Sequence, residues 1–272
     1  MNTHKQYLGM VRRGKFYVLA PEDLQIGPIG LTSIQKTEAR SPESAAIDLS
    51  NYEDRVIMVN GDIESDWLYG AQVAEQAGPV LSNFLEIHFS QEERDKRLCV
   101  LVIGHHPDRP GGVNPSSNIS EFEFNKDLAP RIEKKVQNVR VLKLFRTTYE
   151  SLPQNINYLN PDFVISLHCN YFDSVVSGTE VLYCHEDLKG KEIAGILLQH
   201  LVKHLGLRNR GLVPRREGEL GYHVLCNTNA PCVIAEPFFI SNDQDLARAQ
   251  EDLEGLAQAY ADAIDKIAEM IN

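Results

Sequence analysis

The sequence predicts an α/β fold, a mostly parallel twisted sheet flanked by helices across residues 98–272. A small all-β domain of the OB- or SH3-like barrel type is predicted across 1–82, with a connection across 83–97. Three observations carry this reading. Leu98–Gly104 (LCVLVIG), Phe163–Leu167 inside PDFVISLHCN, and Cys232–Ala235 (CVIA) are short apolar runs without a charge, the form of strands covered on both faces in a parallel sheet. From Leu98 onward such runs alternate with helical patterns, the signature of an α/β domain. Before Leu98 the runs are shorter and broken by turn residues, as in a small barrel or sandwich.

In chain order, the first domain offers strands at Phe16–Leu19, Gly30–Ile34, Ala45–Leu49, Arg55–Val59 and Trp67–Val73. Asn60-Gly61 follows the fourth, and both residues tolerate the positive φ of a type I′ turn, which predicts a hairpin there. Residues 1–95 hold 8 Lys and Arg against 15 Asp and Glu, a net of −7, so this domain reads as a packing or positioning module and not as a binder of nucleic acid. Ser82–Lys96 is polar and charged around Phe84, Leu85, Ile87 and Phe89 and reads as the connection. In the second domain, apolar residues recur every four positions at Phe124, Leu128, Ile132 and Val136. They do so again at Ile193, Leu197, Leu201 and Leu205, stopping before Gly206, a C-cap residue. Leu246, Leu253, Leu256, Tyr260, Ile264, Ile267 and Ile271 form a stripe that predicts one long closing helix.

With 272 residues, 43% of them hydrophobic, the chain can bury a full core. Its formal charge of −11 argues against a partner held through phosphates and favours a neutral or basic substrate. The five cysteines, Cys99, Cys169, Cys184, Cys226 and Cys232, are odd in number and mostly sit in or beside apolar runs. They are expected to be reduced and buried. The N-terminal stretch lacks the apolar core of a signal peptide, and no run approaches the ~20 apolar residues of a membrane span. The expectation is a protein cytoplasmic as synthesised.

Strands of a parallel sheet end on one side, and ligands gather there. His105-His106 follows the first run, His168 and Asn170 follow the second, and Glu236 follows the third. Between the first two, Ser120 and Glu123 have the spacing of a capping box, in which each side chain satisfies the other's backbone N–H. Glu123 is thereby occupied, and Glu121 is left to point elsewhere. Two imidazoles, His168 with His105 or His106, together with Glu121 make a common open zinc set whose fourth position is water. A carboxylate off the metal must then carry that water's proton to the leaving nitrogen, and Glu236 stands where such a group is needed.

Each part alone is ordinary. A histidine after an apolar strand is more often a hydrogen-bonded core or loop residue, Glu121 suits a helix N-terminus, and Glu236 could pair with Arg210, Arg215 or Arg216. The combination of three strand ends and one helix start is what chance rarely supplies. Cys169 beside His168 and Cys184 beside His185 suggest a Cys-His hydrolase, but neighbours on a strand face opposite sides. Arg109-Pro110-Gly111-Gly112 lacks the phosphate-loop pattern and reads as a loop.

The motifs IGHH with RPGG following, SEFEFNKDLA, PDFVISLHCN, LGLRNRGL and YHVLCNTNAPCVIAEPFFISND, in this order, resemble the zinc-dependent N-acetylmuramoyl-L-alanine amidases that share a fold with zinc carboxypeptidases. The resemblance covers residues 98–272. It implies Zn2+ held by His105, Glu121 and His168, Glu236 as the catalytic acid/base, and Asn170 and Arg210 on the substrate side. It also implies a peptidoglycan or muropeptide substrate, cut at the cell wall between N-acetylmuramic acid and L-alanine. Where the family carries Gly-His-Gly-Gly, this chain has Gly104-His105-His106-Pro107 and an extra Asp-Arg-Pro before Gly111-Gly112, so His106 is a rival first ligand. The alternatives are a zinc carboxypeptidase or other amidohydrolase on the same fold, which would need an arginine for a substrate carboxylate, and a non-catalytic wall-binding protein.

Overall fold

The computed structural model describes residues 5–12, 14–20, 28–52, 56–76, 96–146 and 148–271. The chain divides into two compact units, Met1–Arg94 with Gln154–Asn160, and Asp95–Pro153 with Pro161–Asn272. The predicted connection lies outside the described residues as far as Asp95.

The first unit holds β1 (Lys5–Arg12), β2 (Lys15–Ala20), β3 (Gly30–Leu31), β4 (Val56–Glu64) and β5 (Trp67–Gln76), in the order β2-β1-β4-β5-β3. All pairs are antiparallel except β3 with β5. Tyr7, Val11, Phe16, Ile29, Leu31, Leu49, Ile57, Val59 and Leu68 form its core. Strand β1 has no counterpart in the sequence reading, because Gly9 interrupts its apolar pattern. A Cβ there would come within 2.4 Å of the Phe16 ring, so the glycine makes room for an aromatic on the paired strand.

Asn60-Gly61 is not a hairpin turn. Both residues lie inside β4, where the register with β5 shifts between Asn60 and Asp62, and the chain reverses instead near Ser65, at φ 51°. The turn chemistry is used for a bulge. Ala45–Leu49 is not a strand either. Pro42, which presets a helical φ, opens a 3-10 turn over Pro42–Ala45, leaving only a bridge between Ala46 and Thr32.

From Arg97 the elements are β6 (Arg97–Ile103), α1 (Glu121–Lys135), β7 (Val139–Phe145), α2 (Leu152–Leu159), β8 (Phe163–Leu167) and β9 (Thr179–Cys184). They continue with α3 (Leu188–Leu205), β10 (Asn209–Arg215), α4 (Tyr222–Asn227), β11 (Cys232–Glu236), α5 (Asp243–Glu251) and α6 (Leu253–Met270). The sheet order is β10-β9-β11-β8-β6-β7. Strands β6, β7, β8 and β11 are mutually parallel, as predicted, while β9 runs against β11 and β10 follows β9.

One sheet face, with Leu101, Ile103, Ile165, Val181 and Val233, packs in a single core with Leu128 and Ile132 of α1, Leu197 and Leu201 of α3, and Tyr260 and Ile264 of α6. Helix α3 ends on Gly206 in the left-handed region, as its C-cap pattern predicts. The long closing helix is two helices: Asp252 ends α5, and its carboxylate accepts the Gly255 N–H at 2.8 Å, capping α6 afresh.

The cysteine expectation needs correcting. Cys99, Cys169 and Cys232 are free and buried, but Cys184 and Cys226 form a disulfide, Cα–Cα 5.2 Å, tying the end of β9 to α4. Linear spacing gave no sign of it, since 42 residues separate the pair and only the return of the chain after β10 makes them neighbours. Among the described residues no helix is long and apolar enough to cross a membrane.

Candidate active site

The carboxyl ends of β6, β8 and β11 meet at one edge of the sheet. Just past β6, the Gly104 N–H donates to the Leu167 carbonyl at 3.0 Å, and His105 turns at φ 67°, a conformation uncommon for non-glycine residues and held only where the surrounding structure enforces it. His105 Nε2 lies 3.1 Å from Glu121 Oε2. Past β8, the His168 N–H donates to Ala235, and Nδ1 of its ring lies 2.8 Å from Glu121 Oε1. One donor atom from each of the three residues lies within 4.8 Å of the others.

Two glycines make the space. A Cβ on Gly104 would stand 2.6 Å from His168 Nε2, and one on Gly111, at φ 81°, would stand 2.5 Å from Glu121 Oε2 and 2.7 Å from the His105 ring.

The capping box forms as predicted: Ser120 accepts from the Glu123 N–H, and Glu123 from the Ser120 N–H. Glu121 is therefore free to turn inward, where it is only 3% exposed. Its carboxylate also accepts the backbone N–H groups of Gly112 at 3.1 Å and Cys169 at 3.0 Å. Burial alone would raise its pKa, but hydrogen bonds with His105 and His168 outweigh that and hold the carboxyl below its usual range.

Glu236 is treated in the opposite way. Its Oε2 is buried with no hydrogen-bond partner among the described residues. Burial, then the neighbouring Glu121 and Glu180 charges, push its carboxyl well above the ordinary value against the pull of Arg215.

Of the rival histidines, only His105 joins the cluster. His106 folds into the turn made by the extra Asp108-Arg109-Pro110: its N–H donates to the Arg109 carbonyl, and its Nδ1 accepts the Asp108 N–H at 3.3 Å. Cys169 faces the core, where burial raises its thiol pKa.

Asn170 lines the cleft, with its Nδ2 donating to Glu180 Oε1 at 2.7 Å. Arg210 is not among the lining residues; its Nε donates to Glu180 Oε2 at 2.7 Å, and its guanidinium lies 5.0 Å over the Phe239 ring. Glu180 thus holds both predicted substrate-side residues. Sequence reasoning missed it because β9 brings its start, not its end, to this edge.

The cleft, about 810 Å³, runs from the cluster across Val102, Ser166, Leu182 and Ile234 on the second sheet face. Arg146, Tyr149, Arg215 and Leu220 also line it. Tyr171, 54% exposed, lines it, and the next residue in the chain, Phe172, is 68% exposed. The loop behind them is tied down. Phe172 donates to Ser241 Oγ, Asn242 donates to the Val176 carbonyl, and buried Asp245 accepts from Ser177 Oγ at 2.5 Å, Gly178 N–H at 3.2 Å and Phe239 N–H at 3.0 Å.

This fold and site define a mixed α/β protein with an imidazole–carboxylate cluster at the strand ends of its sheet. The chain belongs to the N-acetylmuramoyl-L-alanine amidase family, whose model matches residues 99–266, and its function is that of a peptidoglycan amidase.

Three solved structures show the same fold. The N-acetylmuramoyl-L-alanine amidase from Clostridium difficile 630 is 19% identical at a TM-score of 0.57, over 62% of this chain and 95% of that one. The catalytic domain of the amidase CwlV from Bacillus (Paenibacillus) polymyxa var. colistinus is 24% identical at 0.55, over 62% and 97%. The CwlD amidase of Clostridioides difficile, solved in complex with the GerS lipoprotein, is 21% identical at 0.56, over 64% and 99%. No functionally curated protein is matched.

Proposed function

We propose that His105, Glu121 and His168 hold a zinc ion and that Glu236 moves the protons as the amide between N-acetylmuramic acid and L-alanine is hydrolysed. The observation that carries this is the convergence of two imidazole nitrogens and one carboxylate in the same cleft as a buried, unpartnered carboxylate oxygen of Glu236. The donor chemistry suits zinc, which takes nitrogen and oxygen ligands and in catalytic sites keeps one position open. When bound, the ion lowers the pKa of a coordinated water to about 7 and polarises the substrate carbonyl.

The chain's own residues do the rest. Glu236, its affinity for a proton raised by burial, takes the proton of the attacking water and returns it to the leaving nitrogen. Gly112 and Cys169 fix the Glu121 carboxylate through their N–H groups, so that it keeps its place independently of the histidines. Asn170, oriented by Glu180, stands on the substrate side, and Arg210 supports it through the same carboxylate.

We also propose that the first unit is a β domain of the barrel type, supported by the five-strand sheet among its described residues. Action at the wall, outside the reducing cytoplasm, is supported by the Cys184–Cys226 bond.

Metal analysis of the purified protein tests the central reading, together with His168→Ala and Glu236→Ala. The expected result is zinc lost from the first variant, and zinc retained without muropeptide cleavage in the second. Zinc kept by His168→Ala, or cleavage surviving in Glu236→Ala, would sink these roles.

A further inference from the structure

The formal charge of −11 and the two acids facing the cleft would repel a substrate carboxylate unless positive charge were placed to receive it. Two guanidinium groups line that cleft, Arg146 just past β7 and Arg215 at the end of β10. Elsewhere, Arg97, Arg131, Arg210 and Arg248 each sit on a carboxylate. Among the described residues Arg146 and Arg215 have none within ion-pair distance; the same holds of Arg109, Arg208 and Arg216, but these do not line the cleft. Arg146 lies 5.7 Å over the Tyr149 ring. Arg215 has a buried Nε without a hydrogen-bond partner, a costly condition for a charged group unless a ligand completes it.

Strand register sets the backbone level from which Arg215 enters the cleft, where its charge also acts on Glu236. Glu236 pairs with Glu180, and Arg215 pairs with Cys184, four residues further along β9. At about 3.3 Å per residue, roughly 13 Å of sheet separates the two levels. The floor between them is Ile234, Leu182 and Ser166. An extended peptide advances about 3.3–3.6 Å per residue, so a stem peptide leaving the scissile amide along this floor reaches the arginine within a few residues.

We propose that Arg215 receives a free carboxylate on the stem peptide beyond L-alanine, and that the enzyme prefers stems carrying that acid over the same stems carrying a carboxamide. The proposal rests on the amidase reading. Arg146, nearer the cluster, contributes positive field and is not the receptor. The carboxylate is that of an acidic residue following L-alanine or that of the stem's terminus, and both offer the same bidentate chemistry to a guanidinium.

The test uses the zinc-loaded full chain and four muramoyl tripeptides. The second residue is a free acid or its carboxamide, and the terminus is free or amidated. Amidating one of the two carboxylates is expected to lower kcat/KM by about tenfold to a hundredfold, and which one identifies the source. Arg215→Gln should abolish that difference by raising KM for the acid form alone, Arg215→Lys should restore part of it, and Arg146→Gln should leave it intact.

Equal cleavage of all four by the wild type overturns the proposal and leaves the amidase reading standing; this arm needs no variant to fold. So does an Arg215→Gln defect equal on all four, which would assign the arginine to Glu236 or to the fold. A preference lost in Arg146→Gln but kept in Arg215→Gln moves the receptor and also overturns it. Cleavage of none of the four overturns the amidase reading and this proposal with it.

Discussion

Glu121 and Glu236 share one cleft and are handled in opposite ways. Around Glu121 the carboxylate is met by two histidines and two backbone N–H groups, which hold it ionised. Around Glu236 one oxygen has no partner, and burial, then the Glu121 and Glu180 charges, outweigh the pull of Arg215, so the carboxyl keeps its proton more tightly. A fixed anion suits a metal ligand, and a raised, unsatisfied carboxyl suits a proton carrier. Two like groups whose surroundings drive their pKa values apart are suited to different roles.

The sharpest way to break this contrast is to neutralise each acid in turn. Glu236→Gln should lower kcat/KM by about 10²–10⁴ with zinc content unchanged, whereas Glu121→Gln should lose zinc and activity together. Equal zinc loss in both, measured by metal analysis, would dissolve the distinction.

Next comes Gly104→Ala, whose new methyl would lie 2.6 Å from the His168 ring and from the Leu167 carbonyl. Displacing the ring should cost roughly 10² in kcat. Full activity in steady-state assays would mean that the cluster tolerates a shift which its packing argues against.

On the Glu236 side, α4 supplies Val224 to the cleft and is pinned by Cys226 to Cys184. Replacing both cysteines with serine should remove about 2–4 kcal/mol of stability, read as a lower denaturation midpoint, with a weaker effect on Glu121 chemistry than on substrate KM.

The smallest effect is a slope. Glu236 has a folded pKa above its unfolded value, so metal-free wild type should lose stability relative to Glu236→Gln as pH rises above the unfolded value of about 4.3. Glu121 has a folded pKa below its unfolded value. Its contribution is present above about pH 4.3 and is lost as pH falls through the folded pKa, so Glu121→Gln should fall below wild type over that same upper range. Melting temperatures that shift in the same direction for both variants would refute the opposed environments.

Much of the site could be read from local strings. His105, His168 and Glu236 each end an apolar run, and Ser120 with Glu123 accounts for the capping box that releases Glu121. What stayed hidden depends on pairings between distant segments. Glu180 reaches the edge because β9 runs backwards beside β11. Arg146 and Tyr149 become wall residues only once β7 is laid beside β6, and the Cys184–Cys226 bond needs the whole return through β10. Arg210 illustrates the limit of a motif: the string LGLRNRGL marked the residue, but only the fold shows its guanidinium on Glu180 and not in the cleft. Asn60-Gly61 illustrates it in the first unit, where a pair suited to positive φ serves a bulge within β4.

Buried Asp245 joins two segments of chain that lie far apart in sequence. Because its carboxylate holds Ser177, Gly178 and Phe239 at once, the chain following Tyr171 and Phe172 is anchored to the segment that leads from Glu236 into α5. Together with the Phe172–Ser241 and Asn242–Val176 hydrogen bonds, these contacts tie the backbone that carries two exposed aromatics to the chain that continues from the strand end bearing Glu236.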